Sequence, residues 1–177
     1  MKPYKNRVLW TLALILVLAI SFGPAVLTAA WHIRHGRALV FEGRSIDVPL
    51  RWFSYIDFRT IHISKLSLTV FAKRPASVLV SLWPVAVSPK SDADRESAFQ
   101  SFAAVYWTHL AGNDGRTKGP IRRGTGEKQA ICMETSYREA ARGTAISCLA
   151  YGGTWYATFY GDAKESDTFY KIIDDMR

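Results

Sequence analysis

Hydrophobic and polar positions divide the chain into an apolar amino-terminal segment and a longer part with mixed patterning. Val8 to Ala30 carries no charged side chain. About 20 apolar residues in a helix cover the ~30 Å hydrocarbon core of a bilayer, so 8–31 is predicted to be a transmembrane anchor. The alternative is a cleaved signal peptide, because Gly23 and Pro24 break helices and Thr28-Ala29-Ala30 offers small residues for cleavage.

Basic residues before this segment predict how it is oriented. Lys2, Lys5 and Arg7 precede it, and cytoplasmic flanks are enriched in such residues. Residues 1–7 are therefore predicted to be a basic cytoplasmic terminus and 36–177 a single extracytoplasmic domain. The location that follows is the bacterial inner membrane with one pass, or secretion if the segment is cleaved.

Patterning typical of strands begins at Gly36. Alternation of apolar and polar residues predicts half-buried strands, and Gly, Pro and Asn mark the turns between them. Pro84 lies within one of these runs and suggests an edge strand or a bulge. The first predicted strands are Ala38–Phe41 and Ser45–Val48 around a Glu42-Gly43-Arg44 hairpin, a segment Leu50–Asp57 with a core Trp52, Ser64–Ala72, and Ser77–Val87.

The second half of the chain predicts two helices around a strand meander. Ser91 and Asp94 form a capping-box pattern, and Phe99, Phe102 and Tyr106 follow at helical spacing. The remaining elements are a basic loop Arg116–Arg123, strands Ala130–Tyr137, Thr144–Tyr151 and Thr154–Gly161 with a two-residue Gly152-Gly153 turn, and a terminal helix capped by Asp162 and Glu165 that buries Phe169, Ile172, Ile173 and Met176.

This order of elements predicts the α+β class, with an antiparallel sheet packed with helices. The step from Val48-Pro49 to Trp52, together with that order, resembles the PsbP-like fold, whose members open with a strand leading to a proline, a short gap and a tryptophan. The resemblance implies an α/β/α sandwich and non-enzymatic service as an assembly factor, a lipoprotein or an extrinsic subunit.

The charge balance is moderately basic. The 177 residues carry a formal net charge of +8, to which the amino terminus contributes Lys2, Lys5 and Arg7. Basic runs interleaved with aromatic residues, which bind single-stranded nucleic acid, are absent, so no nucleic-acid partner is predicted. The densest basic cluster could contact an anionic partner or be a solvated loop; it comprises Arg116, Lys118, Arg122 and Arg123.

Cys132 and Cys148 are the only cysteines. Pairing the two strands around the Glu139–Gly143 turn places them directly opposite each other, at a separation compatible with a disulfide. An exported location allows oxidation. Two buried thiols are the alternative, and redox chemistry is less favoured because no Cys-x-x-Cys spacing lowers a thiol pKa.

Candidate reactive groups do not form a recognisable motif. His32 and His35 could share a helical face but are too few for a metal site, and His62 and His109 lack a metalloprotease pattern. The segment Gly124–Lys128 lacks the phosphate-loop spacing and predicts a turn. No cofactor, metal or catalytic residue is therefore predicted.

Large aromatic side chains could instead line a cleft between the sheet and a helix, although rings in strands are more often core. The candidates are Trp83, Trp107, Trp155, Tyr156 and Tyr160. The preferred hypothesis is a membrane-anchored, non-catalytic accessory domain of the cell envelope that holds a protein partner. The alternatives are a binder of a small or lipid-like ligand in the aromatic cleft and, third, a hydrolase.

Overall fold

The computed structural model describes residues 3–66, 77–110, 116–136 and 143–177. Its helices and strands follow the order α, five β, α, four β, α. Their bounds are α1 Pro3–His35, β1 Ala38–Phe41, β2 Arg44–Asp47, β3 Phe53–Asp57, β4 Thr60–Leu66, β5 Ser77–Pro84, α2 Asp92–Leu110, β6 Arg116–Arg123, β7 Ala130–Ser136, β8 Thr144–Ala150, β9 Trp155–Gly161 and α3 Ser166–Asp175.

Among the described residues, seven strands form one antiparallel sheet in the order β3-β4-β5-β9-β8-β7-β6, and β1 and β2 form a separate two-stranded sheet. The strand β9 lies between β5 and β8, so the chain leaves the middle of the sheet through α2, starts again at the β6 edge and returns by a meander. The predicted α+β class with an antiparallel sheet and packed helices is confirmed.

The main core lies on the sheet face that β1, β2 and α3 cover. Alternate residues of the central strands point to this face, as the period of a strand requires. Phe169 of α3 lies 5.5 Å from Phe159 of β9 between ring centroids, and Ile46 of β2 is fully buried in the same cluster. Trp52, predicted as a core residue, is also buried there. The carboxyl terminus completes this layer, because Ser45 and Arg177 exchange two backbone hydrogen bonds.

The helix α2 packs on the opposite face through a smaller cluster. Phe99 is fully buried against Ile131 of β7 and Leu149 of β8, with Phe102 at the margin. The amide of Asp94 donates to the Ser91 hydroxyl at 3.1 Å, as the capping pattern predicts. The sheet therefore lies between two layers, each containing a helix.

The helix α1 is continuous through Gly23 and Pro24, so the predicted break at these residues is wrong. Large apolar side chains from Val8 to Leu27 are exposed on it, including the five consecutive residues 14–18. Among the residues whose side chains the structure describes, no helix is both long and apolar enough to cross a membrane. That finding gives no support to the predicted spanning helix over 8–31.

Several predicted boundaries are wrong. The strand β4 begins at Thr60, four residues before the predicted Ser64, and β3 and β4 form a hairpin through Phe58 and Arg59. The predicted Ser64–Ala72 strand lies outside the described residues after Leu66. The predicted Glu139–Gly143 turn also lies largely outside them. Phe58 has a φ of 52°, a conformation that turn statistics associate with Gly, Asn or Asp, so its sequence gave no turn signal.

Three further local predictions differ from the structure. The strand β5 is interior rather than an edge, and Pro84 is its last residue. The connection from β8 to β9 is not a two-residue turn, because Ala150 pairs with Trp155 across four intervening residues, and Tyr151, Gly152 and Gly153 all have positive φ. The predicted basic loop over 116–123 is the edge strand β6, whose pairing shifts between Lys118 and Ile121 around a cis Gly119-Pro120 peptide.

Candidate functional site

The last turns of α1 contact the sheet domain through Trp31 and His32. The Trp31 indole Nε1 donates to the backbone oxygen of Ser54 in β3 at 2.8 Å, and the ring packs against the main core. His35 stacks on Trp31 with ring centroids 5.0 Å apart. The end of α1 is thereby attached to β3, the first strand in the order of the seven-stranded sheet.

The His32 ring joins α1 to the segment that precedes β3. Its Nε2 lies 3.1 Å from the Pro49 oxygen and 3.0 Å from the Trp52 oxygen. Its Nδ1 lies 2.8 Å from the Gly36 oxygen. Carbonyl oxygens only accept hydrogen bonds, so the ring nitrogen that carries the proton donates to the carbonyl oxygen that it faces. The sequence pattern predicted His32 and His35 to be ordinary residues beside the membrane segment rather than a metal site, and it gave no signal for these contacts to carbonyl groups.

The four predicted docking residues are divided between the two faces of β6. Arg122 lies beside Ile131 of β7, so its side chain is on the sheet face that α2 covers. Arg123 lies beside Ala130 of β7, on the face that α3 covers. Arg116 and Lys118 are exposed. The sequence predicted one basic loop, but a strand sends successive side chains to opposite sides.

Arg122 and Arg123 each hold a helix against this edge strand. The two terminal guanidinium nitrogens of Arg122, Nη1 and Nη2, donate to the Glu96 carboxylate of α2, Nη1 at 2.8 Å. This hydrogen bonding lowers the pKa of Glu96 and raises the pKa of Arg122. Arg123 donates to Asp174 of α3 at 2.8 Å and lies 4.2 Å above the centre of the Tyr170 ring.

The predicted aromatic cleft is only partly formed. Trp83 and Tyr156 face each other on neighbouring strands with centroids 5.6 Å apart, and Phe102 of α2 contacts Tyr156 at 6.1 Å. Trp155 points to the other face, where it contacts Phe41. The Trp107 side chain lies outside the described part of the chain.

An apolar cavity of about 270 Å³ adjoins this aromatic row. Val85, Phe102, Val105, Leu149 and Tyr156 contribute to its lining between α2 and the sheet. Such a volume is slightly below the range usual for drug-sized ligands. The cavity can therefore accept a small apolar group.

The aromatic row continues onto the part of the sheet beyond α2. Tyr55 stacks on His62 at 4.9 Å and lies 6.4 Å from Phe53, and the registers place these rings on the same face as Trp83 and Tyr156. We call this surface the aromatic sheet face and define it by Phe53, Tyr55, His62, Trp83, Tyr156 and Tyr160.

His62 also meets a serine on this face. Its Nδ1 lies 2.9 Å from the Ser81 hydroxyl oxygen. The pair does not line the 270 Å³ cavity, and no ion pair or hydrogen bond within the described residues joins His62 to a carboxylate. The arrangement supplies two members of a hydrolytic triad without the group that orients the base.

Cys132 and Cys148 are directly opposite on β7 and β8. Their sulfur atoms are 2.06 Å apart, which is disulfide-bonding distance, and both residues are fully buried. The predicted pairing is confirmed.

Other candidates from the sequence carry no site in the described residues. No group of three or more His, Cys, Asp or Glu side chains there is arranged to hold a metal ion. Gly126–Lys128 forms a short 3₁₀ turn, as predicted for the 124–128 segment. The His109 side chain lies outside the described part.

No protein-family model matches the chain, and no curated protein matches it either.

Proposed function

We propose that this chain is a membrane-tethered, non-catalytic accessory domain on the extracytoplasmic side of the bacterial cell envelope, where it holds a protein partner. The attachment of Trp31 and His32 to the sheet domain carries this proposal. It couples the domain to a helix whose amino-terminal part needs an apolar environment.

The exposed side chains of α1 support a lipid environment. They are apolar on every side, because five consecutive residues, 14–18, cover more than a full turn. Fully burying one such side chain contributes about 1.5–3 kcal/mol, so the twelve exposed apolar residues from Val8 to Leu27 together favour transfer out of water strongly. Trp10 and Trp31 near the two ends suit the headgroup layers.

The cysteine pair supports an oxidising compartment. Disulfides persist in the periplasm and outside cells and are rare in the cytosol. A membrane tether followed by a disulfide-containing domain fits a tether that is inserted from the cytoplasmic side. The alternation of layers, a helix on each side of an antiparallel sheet, favours the proposed PsbP-like sandwich.

The aromatic sheet face is the surface that we assign to the partner. The helix α2 lies mainly over β6 and β7 and reaches β9 through the contact of Phe102 with Tyr156, whereas Tyr55 and Tyr160 remain 48% and 42% exposed. Tyrosine is enriched at protein interfaces. Arg122 and Arg123 are less suited to docking, because both are engaged within the domain.

Membrane fractionation of the full chain tests the tether. We expect the protein to stay in the membrane fraction after alkaline extraction, with an intact mass that includes residues 8–31. Leu14→Asp combined with Val17→Asp should release it, whereas the matched control Val87→Asp, at an exposed apolar residue of the domain, should not. A soluble wild type, or a mass that lacks the segment, contradicts the tether.

In-cell crosslinking followed by purification tests the partner surface. We expect a near-stoichiometric envelope protein to purify with the wild type, and Tyr55→Ala with Tyr160→Ala to reduce its recovery at least fivefold. Reversing Arg116 and Lys118 to Glu is the comparison for the basic-cluster hypothesis. If the Arg116 and Lys118 substitutions reduce recovery of the partner and the tyrosine substitutions do not, the docking surface lies on β6 instead.

A ligand binder is the second candidate, and the 270 Å³ cavity beside Phe102 and Tyr156 favours it. A small apolar ligand there would change the emission of Trp83, which lies against Tyr156. Titration of an envelope lipid extract into the wild type and the Phe102→Ala variant tests this candidate. A saturable emission shift that the variant loses supports it, and no shift excludes it.

A further inference from the structure

A second and larger cavity, of about 540 Å³, opens between α3 and the segment that joins β2 to β3. Residues of α3 at helical spacing form one wall, and Asp47, Val48, Pro49 and Leu50 form the other, with Arg37 at the side. The volume lies within the range of small-molecule sites. None of the sequence patterns pointed to it, because its residues come from distant parts of the chain.

Both signs of charge line this cavity. Lys171 lies between Asp167 and Asp175, one turn away on either side along α3, and Arg37 and Asp47 lie across the opening. No ion pair within the described residues involves any of these five side chains.

Charged residues next to the cavity form ion pairs, unlike those that line it. Asp174 of α3 pairs with Arg123, and Glu165 just before α3 pairs with Lys65. The charges of α3 and its approach that face the sheet are therefore neutralised internally, whereas those that face the cavity are left for solvent or a ligand. Charged groups beside each other in a recess favour an occupant that carries both complementary charges.

We propose that this cavity binds a small zwitterion with a primary ammonium and an anionic phosphate on a short carbon chain, the phosphoethanolamine group. The ammonium is complementary to Asp47, Asp167 and Asp175, and the phosphate to Arg37 and Lys171. A simple anion would meet three carboxylates, and a simple cation would meet two basic groups, so neither matches the lining as well.

Apolar residues complete the match to this group. Val48, Pro49, Leu50 and Ile172 line the cavity beside the charged residues and can contact the two methylene groups between the ammonium and the phosphate. Each buried methylene contributes about 0.8 kcal/mol.

The position of the cavity indicates where such a ligand would come from. Arg37 is the second residue after α1, and the Pro49 oxygen accepts a hydrogen bond from His32 of α1. The cavity thus adjoins the point where α1 joins the domain. This step rests on the proposed function: if α1 is a lipid tether, the opening lies near the headgroup layer of a zwitterionic membrane lipid.

Titration of the full chain in detergent with free O-phosphoethanolamine tests the cavity itself, with binding followed by calorimetry. We expect saturable binding that Lys171→Gln and Asp47→Asn each weaken at least tenfold. Lys164→Gln and Asp57→Asn remove the same charges from exposed residues outside the cavity and should leave affinity unchanged. Far-ultraviolet circular dichroism confirms that each variant is folded.

Nanodiscs containing the full chain distinguish the two sources of the group. Lipid with a phosphoethanolamine headgroup should compete with the free ester, whereas phosphatidylcholine, whose trimethylated ammonium donates no hydrogen bonds, should not. Competition assigns the lipid as the source, and saturable binding of the ester without competition assigns the free compound; both support the cavity.

Two results overturn the inference, and they are separable from failure of the tether. If neither the free ester nor the lipid headgroup binds saturably, phosphoethanolamine is not the ligand. If it binds but Lys171→Gln and Asp47→Asn leave the affinity unchanged, it does not bind in this cavity. If the chain remains in membranes while either result holds, only this inference fails. If the free ester binds to a chain that fractionates as soluble, the cavity stands and the tether fails.

Discussion

At the scale of single residues, Arg122 and Arg123 send neighbouring side chains from β6 to opposite faces of the sheet. The spacing of Arg116, Lys118, Arg122 and Arg123 predicted a basic patch, but two of these side chains hold α2 and α3 against β6. Their partners, Glu96 and Asp174, are far away in sequence, so no local pattern could identify them. The same distance explains why the charged cavity at α3 was not foreseen.

Tyr170 provides a pH-dependent test at this scale. Burial, followed by the nearby Glu134 charge, raises its pKa to about 12. Because the folded protein holds this proton more tightly than the unfolded chain, the stabilisation is complete below pH 10 and is lost as pH rises through 12. Its hydroxyl makes no hydrogen bond within the described residues.

We expect Tyr170→Phe to leave the free energy of unfolding at pH 7 unchanged or higher by up to about 1 kcal/mol. The ring under Arg123 is retained. Between pH 10 and 12 the wild type should lose about 2 kcal/mol more than the variant. Urea unfolding at several pH values measures both quantities, and equal alkaline losses in the two proteins would contradict the assignment.

Gly124 and Gly126 form a matched pair that separates backbone strain from close contact. Their φ values are 66° and 59°, so alanine is similarly strained at both. A Cβ at residue 124 would lie 2.5 Å from the Lys128 oxygen, whereas one at residue 126 meets nothing within 4 Å. We expect Gly126→Ala to lower the free energy of unfolding by about 1 kcal/mol and Gly124→Ala to lower it clearly more, both measured by chemical denaturation. Equal losses would show that the close approach to Lys128 does not matter.

At the scale of elements, the sequence was informative where periodicity and local capping agreed. The helix α2, the hairpin of β7 and β8 and the register that brings Cys132 opposite Cys148 follow from near neighbours in sequence. The strand β6 and the turn at Phe58 could not be predicted from their near neighbours in sequence. Strand pairing, of β6 with β7 and of β3 with β4, overrides the weak local preferences there. The order of strands in the sheet depends on contacts that no single segment encodes.

The junction between α1 and the domain can be tested by loosening it. Trp31→Phe removes the hydrogen bond to Ser54, and His32→Ala removes the contacts to the carbonyl groups of the adjoining segment. We expect trypsin to cleave after Arg34 and Arg37 several-fold faster in either variant, because local opening exposes the backbone. Ile33→Ala is the control, since Ile33 is 88% exposed on the same turn.

Cleavage rates at the wild-type level in both junction variants would show that α1 is held by other contacts. A rise in the Ile33→Ala control as large as theirs would show a general effect on the helix.

At the scale of the whole molecule, the Cys132–Cys148 bond closes a loop within the central meander. A loop of this size contributes about 3 kcal/mol in the chain-entropy model. We expect Cys132→Ala with Cys148→Ala to lower the free energy of unfolding by at least this amount, because buried side-chain volume is lost as well. Denaturant unfolding with and without reductant measures it.

Mass spectrometry after alkylation provides the independent check on this bond. Protein purified without reductant should gain no label in denaturant until it is reduced, and then should gain two. Two labels without reduction would show that the cysteines are thiols.

Completion of the fold covers both sulfur atoms, and this restricts when they can be joined. An oxidising enzyme must touch a thiol, yet neither cysteine is accessible once α3 and the β1–β2 hairpin lie over the sheet. The strands β7 and β8 are adjacent in sequence and can pair before that layer forms, whereas α3 is synthesised after both of them. Oxidation would therefore proceed from a cross-linked hairpin before the rest of the core closes, and a chain that folds before it meets an oxidant would keep two buried thiols.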